Sequence, residues 1–209
     1  MCEGNCNHGH DVDVEEIFNG EIGEKIPSFK LKVYQKEEFK DVNLSEYRGK
    51  WLILFFYPAD FTFICPTELE EMANKYTDFV KLGAEVISVS TDTVFTHKAW
   101  HDTSEAVKKI TFPMASDMSG ELSRTFGTYI YEGEDAGLSL RGTFIIDPEG
   151  ILRSIEINDN SIGRSAKELF RKLQAAKFVH DHGGKQVCPA SWEPGDESLT
   201  PGLDLVGKI

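Results

Sequence analysis

Four cysteines and six histidines are the side chains of this sequence best suited to nucleophilic, redox or metal chemistry. Cys65 has the most informative surroundings, the segment Pro58-Ala59-Asp60-Phe61-Thr62-Phe63-Ile64-Cys65-Pro66-Thr67-Glu68. A buried strand is expected to end at Pro58, and a helix to run from about Glu68. Pro66 would sit just inside that helix, where its missing N–H costs nothing. Cys65 is then at a helix N-terminus, among unpaired N–H groups and the positive end of the dipole. Both favour the thiolate, the nucleophilic form of cysteine. Proline and aromatic side chains, Pro58 among them, would keep bulk water away. Thr62, one turn back, could hydrogen-bond the sulfur or an incoming oxygen. A thiolate also needs a fixed cation, and Arg141, at the mouth of the segment GTFIID, is best placed by topology. The alternative for Cys65 is a small buried hydrophobe behind a strand, and for Arg141 an ordinary surface arginine.

The remaining candidates are less specific. Cys188 lies in a Gly- and Pro-rich stretch without periodicity, where a thiol can be exposed and mobile. His97 and His101 stand four apart on an expected helix, a spacing that can grip a metal. Residues 98–100 are Lys, Ala and Trp, with no acidic partner, so a structural role is expected for both histidines. His180-Asp181-His182 reads as a helix C-terminus favouring cationic side chains. Near the start, Cys2, Cys6, His8 and His10 supply the atom types of a Cys2His2 zinc site. A Cys2–Cys6 disulfide, or two exposed reducible thiols on a mobile tail, fits the same residues.

The elements that must position Cys65 follow from periodicity. Phe29 to Tyr34 alternates apolar and polar, as a half-buried strand does. Trp51 to Tyr57 is a continuous apolar run ended by Pro58, which predicts a central strand buried on both faces. Leu69, Met72, Ala73, Tyr76, Phe79 and Val80 form a helical stripe that Gly83 stops. Glu85 to Ser90 is a second strand, followed by a helix through Trp100. Gly142 to Asp147 and Leu152 to Ile157 flank Pro148-Glu149-Gly150, a hairpin signal. A last helix should start at Ser165, which with Glu168 fits a capping box. The order is mixed α/β: a central sheet with parallel and antiparallel parts, flanked by helices, of which a thioredoxin-like sheet is the simplest example. The expected organisation is a polar tail over 1–25, one domain over 26–180, and a C-terminal segment over 181–209.

Composition narrows the function classes. The chain has 209 residues, 40% hydrophobic and 27% charged, the balance of a globular protein with a full core. Its net charge of -13 would repel phosphate backbones and anionic lipid, which argues against nucleic-acid and membrane-surface partners. No apolar run approaches the length of a membrane span, and the first 25 residues lack the basic start and apolar stretch of a secretory signal. The expected compartment is the cytoplasm, where cysteines are rarely structural staples. A cysteine hydrolase would need a histidine base that no visible pairing supplies. A thioredoxin-type oxidoreductase would need a second cysteine at position 68, which is Glu.

The segment FFYPADFTFICPTE resembles the signature of the 2-Cys peroxiredoxins, with Pro58, Thr62 and Cys65 at the family's spacing. The segments SVSTDTVFTHKAWH, RGTFIID, QVCPASWEPG and LDLVGKI look like the same family, and in particular its bacterial alkyl hydroperoxide reductase C branch. The resemblance runs from about Gly23 to Ile209. It implies a thioredoxin-like fold and a peroxidase acting on hydrogen peroxide and organic hydroperoxides, with no bound metal, haem or flavin. Cys65 would be the peroxidatic cysteine, oxidised to a sulfenic acid. Thr62 would align peroxide and sulfur, Arg141 would stabilise the thiolate and the leaving oxygen, and Pro58 would shield the pocket. Cys188 would be the resolving cysteine, supplied by the other protomer of a dimer, with rings of five dimers common in the family. Electrons would come from a flavoprotein disulfide reductase or a thioredoxin-type reductant. A second activity as a holdase chaperone is also known in the family. Resistance to overoxidation is implied too: the Gly-Gly-Leu-Gly insertion and C-terminal Tyr-Phe of sensitive relatives are absent here.

Overall fold

In the computed structural model, which describes residues 18–208, Lys30–Gln35 (β1) and Glu38–Asn43 (β2) form an antiparallel hairpin. Trp51–Phe56 (β3) leads into the helix Cys65–Lys81 (α1), then Ala84–Ser90 (β4) into Val94–Thr103 (α2). Met114–Ser116 (β5) and the short helix Glu121–Thr125 (α3) follow. Arg141–Ile146 (β6) and Leu152–Asn158 (β7) form the second hairpin, and Ala166–Asp181 (α4) is the last long helix. One sheet collects the strands in the order β2-β1-β5-β4-β3-β6-β7. The pairs β3–β4 and β4–β5 are parallel and the others antiparallel, so the mixed α/β expectation is met.

The unbroken apolar run of β3 is explained by its central place. Trp51, Ile53 and Phe55 face a core built with α1, α2 and α4. Leu52, Leu54 and Phe56 face a second core, with Leu122 and Phe126 at α3 and Ile87 and Val89 of β4. Each of these side chains contributes about 1.5–3 kcal/mol by leaving water. Six in a row therefore fix the strand that leads into Pro58 and the loop before α1.

Three elements are not marked by periodicity in the sequence. β2, at the sheet edge, is polar and mostly exposed, so it has no apolar alternation to detect. β5 and α3 are three and five residues long, too short for a period to repeat. α1 also begins at Cys65, earlier than the stripe indicates, because Pro66 continues its first turn. Ser165 caps α4 by accepting from the Glu168 N–H at 3.4 Å, but only this half of the expected capping box forms. The Glu168 carboxylate binds Arg171 instead, through Nε and Nη2, both at 2.9 Å.

The start of the described chain is tied to the second hairpin. Gly23 N–H donates to Leu152 O, Leu152 N–H to Glu24 O, and Ile26 N–H to Gly150 O, each at 2.9 Å. Arg48 crosses the same turn and donates to Ile26 O at 2.9 Å. Gly150 has φ +84°, and a Cβ there would stand 1.0 Å from Arg48 Nη1, so both backbone shape and space require glycine. Beyond α4, Val187 and Leu199 exchange both backbone hydrogen bonds at 2.9 Å, holding the segment that carries Cys188.

Candidate active site

Cys65 is the first residue of α1 and is fully buried, directly below the loop that leaves β3. No side chain caps this helix end. The cation is Arg141, the first residue of β6, brought to the sulfur because β6 runs antiparallel to β3. Its Nη1 lies 3.4 Å from Cys65 Sγ and donates to Glu68 Oε2 at 2.7 Å, while Nε donates to Asn160 O at 2.9 Å. Fixed on two sides, the guanidinium cannot swing away from the thiol.

A second arginine completes the cluster. Arg164, between β7 and α4, reaches Glu68 through its backbone N–H at 2.7 Å, Nε at 3.0 Å and Nη2 at 3.0 Å. Its Nη1 donates to Gly142 O and Thr143 Oγ1, and its guanidinium lies 3.5 Å over the Phe55 ring. Burial raises the Glu68 carboxyl, but the hydrogen bonds and charges of Arg164 and Arg141 outweigh it, so its pKa falls below the usual 4.5. Burial likewise pulls Arg164 below its ordinary value, opposed by Glu68. Two guanidinium cations and one carboxylate thus surround the buried thiol.

Glu68 and Arg164 are the residues that sequence reasoning missed. Glu68 stands three residues after Cys65, on the same helical face, and that spacing is a usable signal. Arg164 sits in an irregular Gly-Arg-Ser stretch that offers none.

The other expected site residues are placed as follows. Pro58 is buried, two residues past the end of β3. Thr62 donates its hydroxyl proton to Ala59 O at 2.9 Å and makes no hydrogen bond to the sulfur. Its oxygen lone pairs are therefore the part available to an incoming O–H. Cys188 is half-buried in the C-terminal segment, its thiol 3.8 Å from Ala175 O. It borders a cavity of about 640 Å³ with Arg153, Val179, His180 and Val187. Burial raises the Cys188 thiol, with Arg171 opposing. Neither Cys65 nor Cys188 is bonded to another cysteine.

The described histidines are engaged by protein groups. His97 is fully buried between Asp60 and Ala115 O, and His101 sits between Tyr34 and Ile110 O. His182 Nδ1 contacts Phe178 O at 2.7 Å at the C-terminus of α4. Cys2, Cys6, His8 and His10 lie outside the described residues.

A buried thiol at a helix start, faced by an arginine that a second arginine–glutamate pair holds in place, is a peroxidase-type arrangement, and comparison with known proteins agrees. The AhpC/TSA family model matches residues 22–155. The chain belongs to the AhpC/TSA family and is a peroxiredoxin of the alkyl hydroperoxide reductase C type. It is 50% identical to alkyl hydroperoxide reductase C of Staphylococcus epidermidis over 190 residues, covering 90% of this chain and 98% of that protein. With the Escherichia coli K12 protein of the same name it shares 48% over 188 residues, with the same coverage of each chain. Among solved structures, Enterococcus faecalis AhpC superposes with a TM-score of 0.75 at 48% identity, covering 80% of this chain and 98% of that one. The reduced 2-Cys peroxiredoxin of Plasmodium vivax gives 0.81 at 32% identity, covering 88% and 94%. The thioredoxin-like fold expected from the sequence is the fold of these neighbours.

Proposed function

We propose that this protein reduces hydrogen peroxide and organic hydroperoxides in a two-cysteine cycle. The contact of Arg141 Nη1 with Cys65 Sγ, braced by Glu68, is the observation that carries this reading. The Cys65 thiolate attacks the terminal peroxide oxygen. The O–O bond breaks, the sulfur becomes a sulfenic acid, and the departing oxygen takes a proton to leave as water or an alcohol. Arg141 stabilises charge on the thiolate and on the leaving oxygen, Thr62 accepts the peroxide O–H, and Pro58 excludes water. The Cys188 thiol of a second copy then attacks the sulfenic sulfur, releasing water and forming a disulfide between the two chains. An external dithiol, from a flavoprotein disulfide reductase or a thioredoxin-type protein, returns both cysteines to thiols.

Self-association fits this cycle. β7 leaves one edge of the sheet unpaired among the described residues, and Phe61, Phe63 and Phe95 are exposed aromatic side chains. A dimer assembled into a ring would cover such surfaces, and a large oligomer could act secondarily as a holdase. No cofactor or metal is needed by the peroxidase itself. No helix among the described residues is long and apolar enough to cross a membrane, and the net charge of -13 disfavours nucleic acid, in line with a cytoplasmic enzyme. The test is peroxide consumption with each candidate reductant in turn. Cys65→Ser should abolish it with all of them, and activity retained within tenfold would refute the assignment.

A further inference from the structure

The loop that delivers Cys65 is held very unevenly. Asp60 is buried and bonded on three sides. Its backbone N–H donates to Asp92 Oδ2 at 2.8 Å, its Oδ1 accepts from Tyr57 Oη at 2.7 Å, and its Oδ2 lies 2.7 Å from His97 Nδ1. These partners belong to the ends of β3 and β4 and to α2. They are anchored in turn, since Ser90 Oγ donates to Asp92 Oδ2 at 3.0 Å and Ser116 Oγ to Asp92 O at 2.6 Å. His97 Nε2 is 3.1 Å from Ala115 O, an oxygen that can only accept. His97 thus bridges the Asp60 carboxylate and the backbone of β5.

From Phe61 to Phe63 the holding is slight. Phe61 adopts a left-handed φ of +55°, unfavourable for a bulky residue, and is half-exposed against Trp100. Phe63 is 92% exposed. Thr62 bonds only Ala59 O, within the same loop.

A buried polar cluster is a poor way to stabilise a fold, because apolar residues of similar volume do as well or better. What such a cluster supplies is a defined position. Cys65 is fully buried and must leave its pocket before its sulfur can lie about 2.05 Å from that of Cys188. We propose that Asp60, held by His97, Tyr57 and Asp92, is the fixed point from which this loop opens, and that the hold sets how Cys65 sulfenic acid divides between disulfide formation and overoxidation. Asp60 and His97 are thus positioning residues, acting through the loop and touching no substrate. The inference rests on the two-cysteine cycle proposed above.

Loosening the hold should favour the open loop, speed capture by Cys188 and protect Cys65 from a second peroxide. The full-length protein is cycled with dithiol and increasing hydrogen peroxide, and the sulfinic form of Cys65 is followed by mass spectrometry. His97→Gln is expected to need roughly tenfold more peroxide for half-overoxidation, the scale of one hydrogen bond to a charged group. Tyr57→Phe, which removes one hydroxyl, should move the threshold the same way by about threefold, and it decides the matter if the His97 variant fails to fold. Leu152→Ala, a core truncation in β7, should lower the melting temperature without moving the threshold. Thresholds within about twofold of wild type in every folded loop variant, or lower than wild type, would overturn the proposal. An equal shift in the Leu152 variant would overturn it too. If the wild type forms no Cys65–Cys188 disulfide, the two-cysteine reading fails and this inference fails with it. If that disulfide forms and the threshold stays put, only this inference fails.

Discussion

Arg164 meets Glu68 through three nitrogens at 2.7 to 3.0 Å, so the carboxylate beside the Cys65 thiol is oriented by a residue that makes no hydrogen bond to the sulfur. Glu68 passes that orientation to Arg141, whose Nη1 it shares with Cys65. Chemistry and folding stability are therefore coupled at this cluster.

Glu68→Gln removes the carboxylate that bridges the two guanidinium groups. It should lower stability by about 3 kcal/mol, the cost of leaving buried charges uncompensated, read from urea unfolding at neutral pH. A pH dependence follows from the same residue. Its folded pKa is lowered, so its contribution is fully present above the ordinary 4.5 and is lost as pH falls through the lower folded value. Wild-type stability should decline below about pH 4.5, and the Gln variant should decline less steeply over that window.

Arg141→Ala should leave a folded protein, because Arg164 still compensates Glu68. The rate of thiol oxidation by peroxide should fall by about a hundredfold at neutral pH, measured by stopped-flow under single-turnover conditions. An unchanged rate would remove Arg141 from the chemistry.

Cys188→Ser should still consume one equivalent of peroxide per chain, since the attacking thiol is untouched. Oxidised wild type should run as a disulfide-linked dimer on a non-reducing gel, and the variant should not form that dimer. An oxidised wild type that stays monomeric would place resolution within one chain or on another residue.

Deleting residues 1–10 removes Cys2, Cys6, His8 and His10 and should leave steady-state peroxide turnover within about twofold, under ~0.5 kcal/mol in barrier height. Zinc analysis of the full-length protein accompanies the assay. Stoichiometric zinc, or a large loss of turnover on deletion, would make the tail a functional element.

Sequence legibility follows physical redundancy. β3 is readable because burial on both faces writes six consecutive apolar residues, and Cys65 because Pro66 and the stripe from Leu69 mark a helix start. Arg141 can be reached from strand order alone. The short and edge elements β2, β5 and α3 carry too few constrained positions to show a period. Arg164 is hidden because its role depends on a contact with Glu68 across 96 positions of chain. Asp60 and His97 are obscured in the same way, as a pair 37 positions apart. The sequence marks His97 as structural, and only the folded arrangement shows which loop it holds.

The bonds from Gly23, Glu24 and Ile26 to the turn at Gly150 also define how far this molecule can be trimmed. The seam they form begins at Gly23, and Phe18 ahead of it packs on Phe126. Cutting past Gly23 would unzip it, strip Arg48 of its acceptor on Ile26, and expose the rim of the strand pair that begins with Arg141. The segment from Gly23 to Ile26 is thus a latch on the hairpin that carries Arg141, and a fusion partner belongs ahead of the latch.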